Sequence, residues 1–277
     1  MLCRCIRRTS LALAAAFAAG CFGQSLPPDL EDAGYGTPPD LQPLCTGNND
    51  GVIQANEIVF PIGFSVRYLV NPQNTTVTVA PDGAQGPDGL EWDLTSTMGE
   101  VHALTIESLD GKWFAQAFPN ATYATVSDLA TGTLGVFRAT PDALELLGFA
   151  SETPNETLLV YDAPVATLKF PLSLGTSWVT GARITNGTLE GRPFASTDTY
   201  QIEIDARGEA VLPFIKLPNT LRVHVQLTQT IPGGVGVTRI QHLFFHECYG
   251  EIGRMVSNPG ETNPSFTTAA EFRRLAL

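Results

Sequence analysis

Short stretches of alternating apolar and polar residues recur at a spacing of about ten residues, and this pattern most limits the folds open to the chain. Alternation with a period of two places successive side chains on opposite faces of a β-strand. Short strands that are evenly spaced between turns are typical of a β-sandwich or β-barrel. The stretches are FSVRYLV (64–70), TTVTVA (75–80), LEWDLTS (90–96), TYQIEID (199–205), TLRVHVQLTQT (220–230) and TRIQHLFFHEC (238–248).

Turn residues between these stretches predict consecutive antiparallel hairpins. Asn186-Gly187 favours a type I′ hairpin turn, and DARGEA (205–210) and IPGGVG (231–236) are weaker turn sequences. An antiparallel sheet of this kind buries one face and has to curl or stack to cover it. We therefore expect an all-β fold, in which a curved antiparallel sheet forms a sandwich or an open barrel.

One or two short helices are expected beside the sheet. The candidates are TPDALELL (140–147), in which a threonine could cap the N-terminus, and the final segment FTTAAEFRRLAL (266–277). The apolar residues ALELLGFA (143–150) fit a strand equally well.

The N-terminus has the layout of a secretory signal peptide. Arg4, Arg7 and Arg8 precede an apolar run from Ser10 to Ala19. Ten helical residues rise only about 15 Å, which is half of a bilayer core. We expect residues 1–20 to be removed on export, and no later apolar run in the sequence is long enough to span a membrane.

The residues FAAGC that end at Cys21 resemble the lipobox of bacterial lipoproteins, with Ala18 where that family usually has leucine. The resemblance implies that Cys21 is acylated, becomes the new N-terminus and anchors the protein in the cell envelope. Phe22 stands where aspartate would imply retention in the inner membrane, so the resemblance implies the outer membrane. The alternative is ordinary cleavage after the residues AFA (16–18), which would leave Cys21 as a free thiol.

Cysteine parity bears on this choice. Cys3 and Cys5 leave with the signal peptide. If Cys21 carries lipid, Cys45 and Cys248 remain as an even pair in an oxidising compartment, where disulfides persist. A free Cys21 would leave an exported protein with an odd thiol. Parity therefore favours lipidation and predicts a disulfide between Cys45 and Cys248.

Residues 21–44 are expected to be a lipidated, Pro-rich spacer that leads to a single β-rich domain over residues 45–277. The spacer contains PPDL twice, at 27–30 and 38–41, and proline favours extended polyproline geometry. At about 3.1 Å per residue, such a segment reaches up to about 70 Å from the membrane.

The charge of the exported chain limits its partners. Removal of residues 1–20 takes away three of 16 basic residues, which leaves 13 against 28 acidic residues and a net charge of −15. Such a chain has no electrostatic reason to bind nucleic acid or anionic lipid headgroups. We expect the protein to contact the membrane through its N-terminal lipid and to bind no nucleic acid.

The sequence TGNNDGVIQANE (46–57) resembles the twelve-residue calcium loop of EF-hand and dockerin proteins, with Gly51 at the sixth position for the sharp turn. Ile53 stands where those loops carry an aliphatic residue. The calcium ligands that the resemblance implies are Thr46, Asn48, Asp50, Val52 through its carbonyl, Gln54 and Glu57.

Two differences from that family weaken the predicted site. Thr46 replaces the usual leading aspartate, and the Pro-rich segment before it cannot form the first helix of a full EF-hand. Only Asp50 and Glu57 supply carboxylates, which predicts a structural calcium site with a Kd of about 10⁻⁴ to 10⁻³ M. The alternative is that NNDG is a turn and Glu57 a solvated side chain.

A second resemblance covers about residues 165–257. FPLSLGTSW (170–178), GEAVLPFIKLPNTLRV (208–223) and ECYGEIGRMVS (247–257) are similar to segments of uncharacterised β-rich secreted proteins of Gram-negative bacteria. This resemblance supports the all-β fold and implies no catalytic residues.

Two groups of side chains are candidates for chemistry. His242 and His246 lie on one face of a predicted strand, and His224 could join them as the three histidines of a zinc site, although such histidines are more often ordinary half-buried residues. Glu91 and Asp93 share a strand face and could serve a sugar cleft, but glycosidase carboxylates lie about 5 to 9.5 Å apart across a pocket. Nucleophile-elbow and P-loop motifs are absent from the sequence.

The sequence thus predicts a non-enzymatic, lipid-anchored envelope protein whose β domain binds or scaffolds and carries a structural calcium loop. One alternative is a carrier that holds a lipid or another hydrophobe in a β-cup, since the sheet has to curl. Another is a hydrolase or metalloenzyme that uses the strand histidines.

Overall fold

The computed structural model of the protein describes residues 45–58, 61–129 and 131–276. The predicted signal peptide, Cys21 and the spacer lie outside the described residues. Within these ranges no helix is long and apolar enough to cross a bilayer.

Strands make up most of the regular structure in the described part of the chain. They are β1 (Ser65–Val70), β2 (Val77–Thr78), β3 (Ala84–Gly86), β4 (Gly89–Asp93), β5 (Glu100–Thr105), β6 (Tyr123–Asp128), β7 (Thr133–Ala139), β8 (Ala143–Ala150), β9 (Leu158–Lys169), β10 (Ser177–Leu189), β11 (Arg192–Val211), β12 (Lys216–Thr230), β13 (Val237–His246), β14 (Gly250–Ser257) and β15 (Thr268–Leu275).

These strands form one sheet in the order β5-β1-β15-β14-β13-β12-β11-β10-β9-β8-β7-β6. From β6 to β15, neighbours in the chain are antiparallel neighbours in the sheet, as consecutive hairpins require. β2 pairs with β15, β3 pairs with β4, and β4 lies parallel to β11.

The two edges of the sheet approach each other. Glu107, just after β5, and Ala124 in β6 exchange two backbone hydrogen bonds of 2.8 and 2.9 Å. The sheet is therefore nearly closed and barrel-like, which confirms the predicted all-β fold with a curved antiparallel sheet.

Apolar side chains pack against both faces of the central strands. In β13, Ile240 and Phe244 belong to one buried cluster, whereas Phe245 belongs to another. The cluster of Phe245 also contains Ile204 from β11 and Val223 from β12. Residues of opposite parity in β11 and β12 therefore face away from that cluster, toward the face where His242 lies.

Both predicted helices are wrong, because residues 143–150 form β8 and residues 268–275 form β15. In β8, burial alternates at Leu146, Gly148 and Ala150, so the strand interpretation of ALELLGFA was the correct alternative. β15 fills the gap between β1 and β14, and pairing on both sides overrides the helix propensity of its alanine, glutamate and arginine residues. The helices that the described ranges contain are single 3-10 turns, Ala55–Glu57 and Ala115–Ala117.

The hairpin predicted at Asn186-Gly187 is also wrong. β10 continues through both residues, and its register with β11 shifts there, as at a β-bulge. The chain reverses instead at Glu190-Gly191, where φ is +49° and +74°, the two positive values that a type I′ turn needs. DARGEA lies inside β11 at two further register shifts, whereas IPGGVG forms the predicted turn between β12 and β13.

Candidate functional site

A disulfide ties the start of the predicted calcium loop to the sheet. Cys45 and Cys248 are bonded, with Cα atoms 5.0 Å apart, which confirms the predicted pair. Cys248 lies in the tight turn between β13 and β14, in which the Tyr249 N–H donates to the His246 carbonyl at 3.2 Å. The bond therefore fixes the beginning of the loop beside this turn.

The middle of the loop is shaped by its own polar side chains. The N–H of Asp50 donates to Oδ1 of Asn48 at 2.9 Å, and the N–H of Val52 donates to Oδ1 of Asp50 at 2.8 Å. Gly51 has φ of +77°, and a Cβ there would lie 2.6 Å from Nη1 of Arg207. The positive φ favours glycine at the sixth position, and the guanidinium of Arg207 lies close to this backbone.

The end of the loop is held by Glu57 and Ile53. Oε2 of Glu57 accepts a hydrogen bond from the N–H of Gln54 at 2.7 Å, which closes the 3-10 turn Ala55–Glu57. Ile53, which is 1% exposed, exchanges backbone hydrogen bonds of 2.9 and 2.8 Å with Leu172. The aliphatic residue at the eighth position therefore anchors the loop to the segment between β9 and β10.

Glu247 brings a further carboxylate to the loop from the turn between β13 and β14. Its two oxygens accept hydrogen bonds from the N–H groups of Asn48 and Asn49 at 2.5 and 2.8 Å. The carboxylate lies against Gly47, where a Cβ would be 3.0 Å from its carboxyl carbon. Thr46, at the first loop position, where EF-hand loops carry an aspartate, is exposed.

Negative charge collects where the loop meets this turn. Glu57 and Glu247 are 7% and 6% exposed. Burial raises the pKa of the Glu57 carboxyl, and the carboxylates of Glu247 and Asp50 raise it further, whereas the hydrogen bond from Gln54 opposes them. The structure thus places Glu247, which lies outside the loop sequence, beside Glu57, with Asp50 near enough to act on the same carboxyl.

Sequence reasoning missed Glu247, although one clue to it was present. Glu247 directly precedes Cys248, and a disulfide from Cys248 to Cys45 has to place its neighbour beside the loop. Arg207 could not be predicted at the loop, because it approaches from β11, more than 100 residues later in the chain.

The three strand histidines do not form one cluster. His224 and His242 are paired across β12 and β13, with ring centroids 5.0 Å apart. His246 lies four residues beyond His242, about 13 Å along a strand, which is too far to share an ion. Its ring instead bonds to the carbonyl of Glu247 at 2.7 Å and packs against Tyr249, so the predicted set of three histidines is wrong.

The acidic residues of β4 are used in local contacts. Glu91 lies 3.5 Å from the ammonium group of Lys216, and Oδ1 of Asp93 accepts hydrogen bonds from the backbone and hydroxyl of Thr95 at 2.9 and 2.6 Å. The indole between them, Trp92, is fully buried. These contacts give each carboxylate a structural role and do not assemble a sugar cleft.

An open depression between the helical turn Ala115–Ala117 and β9 holds about 130 Å³ and is lined by Phe118, Arg138, Val160 and Tyr161 among others. Pockets for drug-sized ligands have volumes of about 300 to 1,000 Å³. The depression therefore gives no support to the β-cup of a carrier.

Comparison with other proteins identifies no relative. No protein-family model, no curated protein and no solved structure matches this chain.

Proposed function

We propose that the protein is a lipid-anchored component of the bacterial cell envelope, in which a non-enzymatic β domain binds or scaffolds and a structural calcium ion stabilises the loop at residues 46–57. The observation that carries the calcium proposal is the position of Glu247. Its buried carboxylate lies against the loop whose own first position lacks an acid.

The residues present suit calcium, which takes six to eight oxygen ligands and prefers carboxylates and carbonyls. The loop offers side-chain oxygens of Asn48, Asp50 and Gln54, the Val52 carbonyl and the carboxylate of Glu57. With Glu247 the number of carboxylates rises from two to three. Because ligand charge tunes calcium affinity, we place the Kd near the tight end of the extracellular range, at about 10⁻⁴ M.

A role in stability follows from what the loop holds together. Residues 45–57 contact the turn between β13 and β14 through the disulfide and Glu247, and the segment after β9 through Ile53. An ion bound in the loop would offset the repulsion that Glu247 and Asp50 exert on the carboxylate of Glu57. The folded domain would then be more stable in the millimolar calcium found outside cells.

Thermal melting of the full chain with and without about 2 mM calcium tests this role. Binding to the folded state alone with a Kd of about 10⁻⁴ M adds roughly 1.8 kcal/mol. For a domain of this size that corresponds to a rise in Tm of about 4 to 7 °C. Glu57→Gln and Glu247→Gln should each abolish the rise, whereas Glu156→Gln, at an exposed site away from the loop, should retain it.

An unchanged Tm in the wild-type protein would refute the calcium site. A rise that survives Glu247→Gln but not Glu57→Gln would leave the loop as a calcium site of its own and refute the contribution of Glu247.

The anchor is supported by the cysteine pairing. The disulfide uses both cysteines that follow Cys21, so the exported chain would contain Cys21 as its single remaining cysteine. Metabolic labelling with an alkyne fatty acid should modify the wild-type protein and not Cys21→Ser. Equal labelling of both, or labelling of neither, would contradict the anchor and with it the envelope location.

A further inference from the structure

A second candidate metal site lies on the sheet face opposite the cluster that contains Val223 and Phe245. His224 in β12 and His242 in β13 are directly paired, and Asp205 in β11 lies beside them. One ligand atom from each of the three residues lies within 4.8 Å of the other two. The three side chains are therefore close enough to be candidate ligands of one ion, and a zinc ion holds nitrogen and oxygen ligands at about 2 Å.

A β-bulge gives Asp205 this position. The pairing of β11 with β12 passes from Ile204 opposite Val223 to Ala206 opposite Arg222, so Asp205 is the extra residue. A bulge re-aims a side chain and is common beside functional sites. The alternation of apolar and polar residues would not by itself predict that this carboxylate lies beside histidines of β12 and β13.

A hydrogen bond at Nε2 of His242 leaves its Nδ1 able to bind a metal ion. Its Nε2 lies 2.8 Å from the carbonyl of Pro264, and because a carbonyl only accepts, Nε2 carries the proton. Nδ1 then bears a lone pair, and this atom is buried with no hydrogen-bond partner in the described ranges. The residue is 1% exposed, and Phe266 stacks on its ring with a centroid distance of 5.5 Å.

His224 supplies a second buried lone-pair position. Its Nδ1 also lacks a hydrogen-bond partner among the described residues, although the residue as a whole is half-buried. Two unpartnered imidazole nitrogens on directly paired residues are unusual, since buried polar atoms are nearly always bonded. The exposed side of His224 gives an ion a route from solvent.

Asp205 is oriented by Arg222. The guanidinium donates from Nε to Oδ1 and from Nη2 to Oδ2, both at 2.9 Å. Each carboxylate oxygen has two lone-pair positions, so this bidentate contact leaves one on each oxygen. Arg222 is itself held by the Pro81 carbonyl and lies 3.4 Å from Asp82. Such outer contacts commonly orient metal-binding carboxylates.

The charges around the site balance a divalent cation. Three carboxylates lie near the two histidines or near Arg222, namely those of Asp205, Asp82 and Glu203. The guanidinium of Arg222 is the positive charge beside them. Three negative charges against one positive charge leave a net charge of about −2 when both imidazoles are neutral. A divalent ion would therefore make the site neutral.

We propose that His224, His242 and Asp205 bind one divalent transition-metal ion of the zinc class, with a coordination position open to solvent beside His224. Two imidazoles and a carboxylate are ligands that zinc accepts, and three protein ligands with an open position are typical of zinc sites that also bind water. This site is separate from the calcium loop and does not rest on it, because calcium takes oxygen ligands.

Titration of the full chain with zinc, after removal of metal by a chelator and exchange into chelator-free buffer containing millimolar calcium, tests the proposal. We expect one zinc ion per chain, and a visible d–d absorption when cobalt replaces zinc. His224→Gln and Asp205→Asn should weaken zinc binding at least tenfold. His102→Gln and His246→Gln, which change histidines outside the cluster, should bind zinc like the wild type.

A measurement on the unmodified protein guards against variants that fail to fold. In NMR spectra of the imidazole groups, zinc should shift the resonances of His224 and His242 and leave those of His102 and His246 in place. Absence of stoichiometric binding, zinc binding that survives both His224→Gln and Asp205→Asn, or shifts confined to the other two histidines would each overturn the proposal.

Discussion

The phenol of Tyr161 in β9 donates a hydrogen bond of 2.6 Å to Oδ2 of Asp198 in β11, across the intervening strand β10. Asp198 is 2% exposed, and the hydroxyl of Tyr200 lies 3.0 Å from that of Tyr161. Because the proton of Tyr161 goes to Asp198, Tyr200 donates to Tyr161. One oxygen of a buried carboxyl group, Oδ2, thus accepts from a chain of two phenols, whereas Oδ1 has no hydrogen-bond partner among the described residues.

Tyr161→Phe should destabilise the protein by roughly 1 to 3 kcal/mol, since it removes the shorter of the two hydrogen bonds that Asp198 accepts and leaves the amide of Gln229, 3.4 Å away. Tyr200→Phe keeps the bond to Asp198 and should cost about 1 kcal/mol or less. Urea unfolding of both variants measures the difference. A larger cost for Tyr200→Phe would contradict this account of the chain.

Calcium affinity should depend on pH through Glu57. The pKa of this carboxyl is raised above its usual 4.5, so the calcium-free folded protein holds the proton more tightly than the unfolded chain does. Its stability therefore falls as pH rises from 4.5 through the raised pKa, and calcium, which needs the carboxylate, binds more tightly over the same window.

Calorimetric calcium titrations near pH 5, in two buffers of different ionisation enthalpy, measure the protons that calcium displaces. The wild-type protein should release a fraction of a proton, and Glu57→Gln should release less. Equal calcium affinity at pH 4.5 and pH 7 would contradict the assignment of Glu57 as a ligand.

Acid should destabilise the metal-free protein through its buried histidines. Burial lowers the pKa of His224 and His246 and lowers that of His242 to about 4, from an ordinary value of 6.5. The unfolded chain takes up these protons below about pH 6.5 while the folded chain does not, so stability falls as pH drops toward 4. The loss from His242 alone amounts to roughly 3 kcal/mol.

Unfolding experiments between pH 4.5 and 6.5, in a chelating buffer, give the slope of the unfolding free energy against pH. It should be shallower in His242→Gln and unchanged in His102→Gln, whose histidine lies on β5 with about a third of its side chain exposed. Identical slopes in the wild type and His242→Gln would count against a neutral, buried His242.

Trp92 should be the most sensitive of the large aromatic residues to truncation. It is fully buried, its indole N–H donates to the Pro81 carbonyl at 2.9 Å, and its ring packs 5.1 Å from that of Phe244. Trp92→Ala should cost about 3 to 5 kcal/mol. Trp113→Ala removes an equal volume from a half-buried site and should cost less, which guanidinium unfolding of the two variants would show.

The strand pattern predicted the sheet because each of the six alternating stretches carries its own burial information, as the buried Ile202 and Ile204 in β11 illustrate. Local patterns failed where pairing decided the outcome. Residues 268–275 have the composition of a helix and become a strand between two others. Asn186-Gly187 has the composition of a turn and is absorbed as a bulge, because pairing continues past it to Glu190-Gly191.

The candidate sites also contain some residues that local sequence predicts and others that only the fold brings there. The sequence predicted the turn at Gly51 and the cysteine pair, since these follow from spacing and parity along the chain. Glu247 and Asp205 approach their sites from other elements, and Asp205 does so through a bulge whose position no local pattern marks. His246 was wrongly included because a shared strand face does not remove the distance between residues four apart.

The bond between Cys45 and Cys248 also makes residues 45–248 a covalent ring that contains β1 to β13. The exposed turn between β12 and β13, where Val235 is 88% exposed, lies within that ring. A protease that cuts there once opens the ring but releases no fragment, because the disulfide holds the two parts together until it is reduced. A single cut at this turn therefore leaves both parts of the chain covalently joined.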